Sequence, residues 1–318
     1  MTTPIRFDQR VAIVTGAGGG LGRTYAIELA ARGAAVIVND LGGSFDGQGS
    51  SSSMADQVVT EITAAGGRAV ASYDSVATSA GGEAIVQTAL AAFGRVDVLV
   101  SNAGTLRNAP IDELSDATLD AMIDVHLKGG FNVSRPALRQ MKQQGYGRIV
   151  LASSAAGVFG NQEQAAYGAA KAGLIGLMNI LSLEGAAFGV KANALLPTAM
   201  SRMSAGMSEK ALQEFGALYG ALGEQLGNTA DPSFVMPLVV YLCSEACDST
   251  HSIYSASLGR FARVFLNVGA GWVGPRAVPP SVEDLAAHWG QVCEKQGAEE
   301  VGSLLGEFEL IARQLRAR

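Results

Sequence analysis

Val11-Ala-Ile-Val-Thr15-Gly16-Ala-Gly-Gly-Gly20-Leu-Gly22 is an apolar run that breaks into glycines, and the amphipathic segment Arg23 to Arg32 follows at once. That order predicts a buried strand, a tight turn and a helix whose first N–H groups face an anion. The glycines permit the turn and let a pyrophosphate approach the backbone. An isolated glycine loop would carry little weight, but this one has the strand before it and the helix after it, so the spacing predicts a dinucleotide site.

Working outward, short apolar runs recur at Val11 to Thr15, Ala35 to Asn39, Ala69 to Tyr73, Val96 to Val100, Arg148 to Ala152, Val190 to Leu196 and Val264 to Val268. Helix-length segments lie between them at Leu21 to Arg32, Met54 to Ala65, Glu83 to Phe93 and Ala165 to Phe188. Alternation of this kind predicts an α/β fold: a doubly wound, seven-stranded parallel sheet with helices on both faces. Residues 1–274 form the expected dinucleotide-binding domain. Residues 275–318 are the expected C-terminal helical extension, packing on the core. The stretch Asp40 to Ser53, rich in Gly and Ser, reads as a flexible surface loop near the nucleotide site.

The second strand ends at Asp40, eighteen residues beyond Gly22, where a carboxylate can accept the adenosine ribose hydroxyls. It would meet a 2′-phosphate as a like charge, so NAD is the expected cofactor, with Arg23 the one nearby base that weakens this choice. Two further strand ends belong to the same ligand crevice. Asp74-Ser75-Val76 is placed to meet adenine, and Asn102-Ala103-Gly104 lets the backbone approach the cofactor while Asn102 braces the turn. Gly16, Gly20, Leu21 and Gly22 complete the expected phosphate loop.

Tyr167 and Lys171 are one helical turn apart, and Ser154 ends the fifth expected strand thirteen residues before Tyr167. A tyrosine titrating near roughly 10 is a poor base at neutral pH unless a cation stabilises its phenolate. Lys171 supplies that cation, and the three side chains can gather around one substrate oxygen.

Thr15-Gly16-x-x-x-Gly20-x-Gly22, Asn102-Ala103-Gly104, Ser154 and Tyr167-x-x-x-Lys171, in that order, resemble the short-chain dehydrogenases/reductases, a Rossmann-fold family. The resemblance implies that Tyr167 is the general acid/base, that Lys171 lowers its pKa and holds the nicotinamide ribose, and that Ser154 orients the reacting oxygen. It also implies that the Pro197, Ala199, Met200, Ser201 and Arg202 loop holds the nicotinamide carboxamide, with Ser204 to Gly227 forming a substrate lid. Asn39-Asp-Leu-Gly-Gly43, Tyr73-Asp-Ser-Val76, Tyr146-Gly-Arg-Ile149, Ser201-Arg-Met203 and Val268-Gly-Ala-Gly-Trp272 are similar to the dehydrogenase domains of the multifunctional β-oxidation enzymes. That similarity implies a lipid-like alcohol, a (3R)-hydroxyacyl-CoA or a 17β-hydroxysteroid. His126 stands where most of the family has an Asn holding a relay water; it either keeps the relay or is a satisfied buried histidine. Asp248 to Arg263 looks longer than the family's segment before the last strand.

A net charge of -6 and a pI near 5.2 give no electrostatic footprint for nucleic acid or an anionic membrane surface. No uninterrupted apolar run approaches bilayer length, and the final Arg-Ala-Arg is not a peroxisomal address. Three scattered cysteines fit a reducing compartment, so the expected location is cytoplasmic. Cys243, Cys247 and His251 sit at helical spacing but lack a paired motif, and no metal is expected. The resemblance implies a homodimer or homotetramer. An NADPH-dependent carbonyl reductase and a non-catalytic NAD-binding scaffold are the alternatives.

Overall fold

The computed structural model describes residues 4–44, 46–200, 213, 216–217, 220–222 and 225–316. The described chain divides into two compact units, Met1–Arg263 and Val264–Arg318.

The first unit is built on a parallel sheet. Strands β1 (Val11–Thr15) and β2 (Ala35–Asn39) are wholly buried, which is why they read as unbroken apolar runs rather than as alternation. With β3 (Arg68–Ser72), β4 (Val98–Ser101), β5 (Gly147–Ala152), β6 (Val190–Thr198), β7 (Ser252–Ser257) and β8 (Arg260–Val264), they form one sheet in the order 3-2-1-4-5-6-7-8. The order reverses between β1 and β4, and the crevice for a ligand opens above that reversal. Asp97, fully buried, fixes the opposite edge: its Oδ2 accepts the Val11 N–H at 2.9 Å, while Arg95 and Arg10 neutralise it.

The helices of this unit among the described residues are α1 (Gly20–Ala31), α2 (Ser53–Ala64), α3 (Ser79–Phe93), α4 (Asp116–Met122), α5 (Gly129–Gln144), α6 (Ala155–Phe159), α7 (Ala165–Gly185) and α8 (Met236–Cys243). Their ends follow ordinary capping chemistry. Thr78 and Ser115 cap α3 and α4 by accepting the Gly81 and Thr118 N–H groups, and left-handed Gly94 and Gly145 close α3 and α5. Ala165–Phe188 is apolar enough along 24 residues to meet the length and composition of a membrane span, which the sequence reading had not found. In this fold 56% of its apolar window is buried, so its hydrophobicity serves the sheet it covers.

The main sheet has eight strands, and the seventh is not the segment expected. It lies at Ser252–Ser257, inside the stretch taken for a long insertion, and pairs with β6 from Asn193↔Ser252 to Thr198↔Ser257. Its serines concealed it, although Ser252, Ile253 and Ala256 are buried. Leu258 and Gly259 both take positive φ, 52° and 77°, the two-residue turn that returns β8 alongside β7. Phe265 and Leu266, read as part of a core strand, are about half exposed. The division between units therefore falls at 263/264, ahead of the expected 274.

In the second unit, the short strands Asn267–Val268 and Glu299–Glu300 pair antiparallel, and Trp272 stacks on His288 at 4.3 Å. Its helices are Val282–Ala287, opened by a Ser281/Asp284 capping box, Trp289–Val292 and Leu304–Arg316.

Candidate active site

The crevice over the β1/β4 reversal encloses an empty volume of about 1050 Å³, counting the part open to solvent. Its floor is the glycine turn. Gly16 has φ +65, and a Cβ there would lie 2.8 Å from Ala103 Cα, so only glycine lets the turn pass this close to the β4 end. Helix α1 begins at Gly19 with no side-chain cap and no acidic residue in its first turn, leaving its first N–H groups for an anion. Thr15 Oγ1 accepts the Asn102 and Ala103 N–H groups, each at 3.0 Å, and Asn102 Nδ2 donates to Thr15 O at 3.2 Å. The β1 and β4 ends are thereby stitched into one surface.

At the far side, Asp40 Oδ2 accepts the Gly18 N–H and its Oδ1 accepts the Gly42 N–H, each at 2.7 Å. A Cβ on Gly18 would lie 2.8 Å from the Asp40 carboxylate, so a bare residue there is a condition of Asp40 being there. Asn39 Nδ2 donates to Asp74 O at 3.0 Å, and Asn132 Nδ2 donates to Val76 O at 2.8 Å, fixing the Asp74-Ser75-Val76 turn against the crevice. Gly16, Gly20, Leu21, Asp40, Asp74, Ser75, Val76, Asn102, Ala103 and Gly104 all line it, whereas Gly22 lies just behind, beneath Gly16. No Arg or Lys does so among the described residues. Arg23 is engaged by Glu61.

Beyond Thr105 and Val125 lies the second cluster. A π-helical turn, Ile123–Lys128, joins α4 to α5 and carries His126 inward. His126 Nε2 lies 2.7 Å from Thr105 O and 3.3 Å from Thr105 N; the shorter contact assigns it the proton and leaves Nδ1 a buried acceptor without a partner among the described residues. The imidazole packs edge-on to the Tyr167 ring at 5.1 Å. Burial, and then the Lys171 charge, hold His126 well below its usual pKa, so the ring is neutral.

Ser154 caps α6, its Oγ accepting the Ala156 N–H at 3.1 Å. Lys171 Nζ is 5.6 Å from the Tyr167 ring centre and donates to Ala152 O at 2.5 Å. Burial pushes Lys171 down to about 7. Burial also raises Tyr167, while the Ser154 hydroxyl acts the other way. The four expected catalytic side chains therefore meet at the end of the crevice.

These observations agree with a direct comparison. Residues 10–212 match the family model for the short chain dehydrogenases. The chain belongs to that family. A short-chain type dehydrogenase/reductase of Mycobacterium tuberculosis is 48% identical over 295 residues, covering 92% of this chain and 97% of the relative. The mouse peroxisomal multifunctional enzyme type 2 is 43% identical over 313 residues, covering 94% of this chain but 39% of that enzyme. The solved full-length peroxisomal multifunctional enzyme type 2 of Drosophila melanogaster superposes with a TM-score of 0.77 at 34% identity, over 98% of this chain and 50% of that one. The chain thus spans less than two thirds of the multifunctional enzymes it matches, from 39% of the mouse enzyme to 61% of the Dictyostelium discoideum one.

As in its family, this oxidoreductase's crevice accommodates a nicotinamide dinucleotide, and the uncapped helix start and glycine floor fit one. Pro197 sits in the β6/β7 ladder opposite Ala256, and the Met200 N–H donates to Ala230 O at 2.7 Å. With Ala199, they stand at the end of β6 and do not line the crevice. Ser201, Arg202 and most of the expected lid lie outside the described residues. Sequence reasoning did not name Gly19, Asn39, Leu41, Gly43, Ser44, Gly47, Thr105 and Val125 as site residues; Leu41 and Gly43 fall within the Asn39–Gly43 motif, Val125 comes from the π-helical turn, and Ser44, Gly47 and Thr105 come from loop positions outside any quoted motif. Cys243 and Cys247 are buried, and the His251 ring is hydrogen-bonded to Ser182 at 2.7 Å.

Proposed function

We propose that this chain oxidises the secondary alcohol of a lipid-like substrate, a (3R)-hydroxyacyl-CoA or a 17β-hydroxysteroid, to the ketone, with NAD as cofactor. The carrying observation is the cluster of Ser154 at the start of α6, Tyr167 edge-on to His126, and Lys171 Nζ 5.6 Å from the Tyr167 ring centre. Likeness to the multifunctional enzymes supports the acyl or steroid class. Asp40 supports NAD, since its carboxylate stands at the rim of a crevice that no Arg or Lys lines among the described residues.

Each side chain has one task in this reading. Ser154, its Oγ fixed by the Ala156 N–H, donates its proton toward the substrate oxygen or the phenolate. Tyr167 Oη takes the carbinol proton, which requires that the phenol first lose its own. Lys171 makes that loss favourable by placing an ammonium beside the ring, in a pocket where a lone phenolate is costly. His126, neutral and with Nδ1 as an acceptor, takes part in passing the released proton outward. The bound nicotinamide supplies the hydride acceptor.

Asp74, Ser75 and Val76 hold the adenine end, and Asn102, Ala103 and Gly104 support the middle of the cofactor. The protein works in the cytoplasm as a homodimer or homotetramer. Its test is a substrate panel followed by NADH absorbance, with 3-hydroxyacyl-CoA chain lengths alongside steroid alcohols. Turnover of either class is expected; turnover confined to small polar sugars would reject the lipid assignment.

A further inference from the structure

The segment Leu41 to Ser51 was expected to be a loose surface loop, yet its described residues are folded on themselves. Ser51 N–H donates to Leu41 O at 2.9 Å and closes the base. At the tip, Ser44 N–H donates to Gln48 O at 2.8 Å, Gly47 N–H to Ser44 O at 3.0 Å and Gln48 N–H to Ser44 Oγ at 3.1 Å. Ser44 Oγ also bonds the Asp46 carboxylate.

This loop leaves the end of β2 and reaches the loop that follows β4. Arg107 Nε donates to the Asp46 carbonyl at 2.8 Å. Beside it, Gly47 has φ +84, and a Cβ there would come 3.0 Å from Thr105 Cγ2. Strands β2 and β4 flank β1 on opposite sides, so the span passes over the glycine turn. Leu41, Gly43, Ser44 and Gly47 line the crevice on one side of this bridge and Thr105 on the other.

The geometry points to a strap: residues 41–44 and 46–51 close over the bound nicotinamide cofactor, and Arg107 is the positioning residue that latches them. The inference rests on the crevice being the cofactor site. A dinucleotide lying beneath the span leaves only after the Arg107–Asp46 bond and the Gly47–Thr105 contact open. Arg107 therefore acts mainly on cofactor dissociation, and less on the hydride step. The acceptor is a backbone carbonyl, so the latch depends on the donor at 107 and on a tip that can approach Thr105.

The test is the NADH dissociation rate of the full chain, measured by stopped-flow displacement, with NADPH as the second probe. Arg107→Ala should dissociate the nucleotide about tenfold faster, the effect of losing one charge-assisted hydrogen bond. Arg107→Lys, which keeps a cationic donor, should restore most of the retention. Gly47→Val, a change at an exposed tip that blocks approach to Thr105, should also speed release and reads the strap should Arg107→Ala fail to fold. Rates within about twofold of the parent for these variants, the scatter of ordinary surface changes, overturn the strap alone. Failure of the parent chain to bind either nucleotide overturns the crevice assignment as well.

Discussion

Asp40 Oδ2 accepts the Gly18 N–H at 2.7 Å, which ties the acidic end of β2 to the phosphate turn. The bond holds the carboxylate at the crevice rim, where the proposed preference for NAD needs it. Asp40→Ser should raise the KM for NAD by roughly ten- to a hundredfold, the range for losing charge-assisted bonds, while narrowing the preference over NADP. Steady-state kinetics with both cofactors read the change. An unaltered NAD/NADP ratio would remove Asp40 from cofactor selection.

The Tyr167/Lys171 pair sets the pH dependence. Burial raises the phenol and lowers the ammonium to about 7, and oxidation needs the pair to have lost one proton. The account predicts that kcat/KM for alcohol oxidation is low in acid and rises with pH through about 7. A profile flat across that range would contradict it.

The same lysine costs stability. Its folded pKa, about 7, lies below the ordinary lysine value of 10.5, so the unfolded chain binds the extra proton between these values. Stability from this group is intact above the upper value and falls as the pH drops toward the lower one. Lys171→Met should abolish turnover yet raise the stability at neutral pH by on the order of a few kcal/mol less the lost Ala152 bond, seen as a higher melting temperature. Calorimetry at neutral pH checks the sign.

His126 separates relay from filler. His126→Ala should lower kcat by on the order of tenfold or more with cofactor affinity kept, and His126→Asn should recover part of it. Equal losses in both variants, together with a lowered melting temperature, would mark the ring as packing alone.

The fold was readable where burial leaves a one-letter signature. β1, β2 and β5 are apolar because both faces are covered, and the glycine turn, the β4 end and the Tyr167/Lys171 pair carry their chemistry in fixed local spacing. β7 was not readable, because Ser252 and Ser255 mimic loop composition; the exposed Val264 to Val268 run mimicked a core strand instead. Local spacing also concealed the bridge between Asp46 and Arg107, a contact 61 residues apart that depends on the order of the strands. The lone Nδ1 of His126 was equally hidden, since only the π-turn and the Thr105 carbonyl decide which nitrogen carries the proton.

The most direct measurement is turnover of Tyr167→Phe beside its affinity for NAD. Removing one oxygen from the buried ring should lower kcat by roughly a hundredfold or more, the contribution of a positioned acid/base, with the nucleotide dissociation constant nearly unchanged. Turnover close to that of the parent, with the same substrate and cofactor, would show that another group carries the proton and would contradict the account.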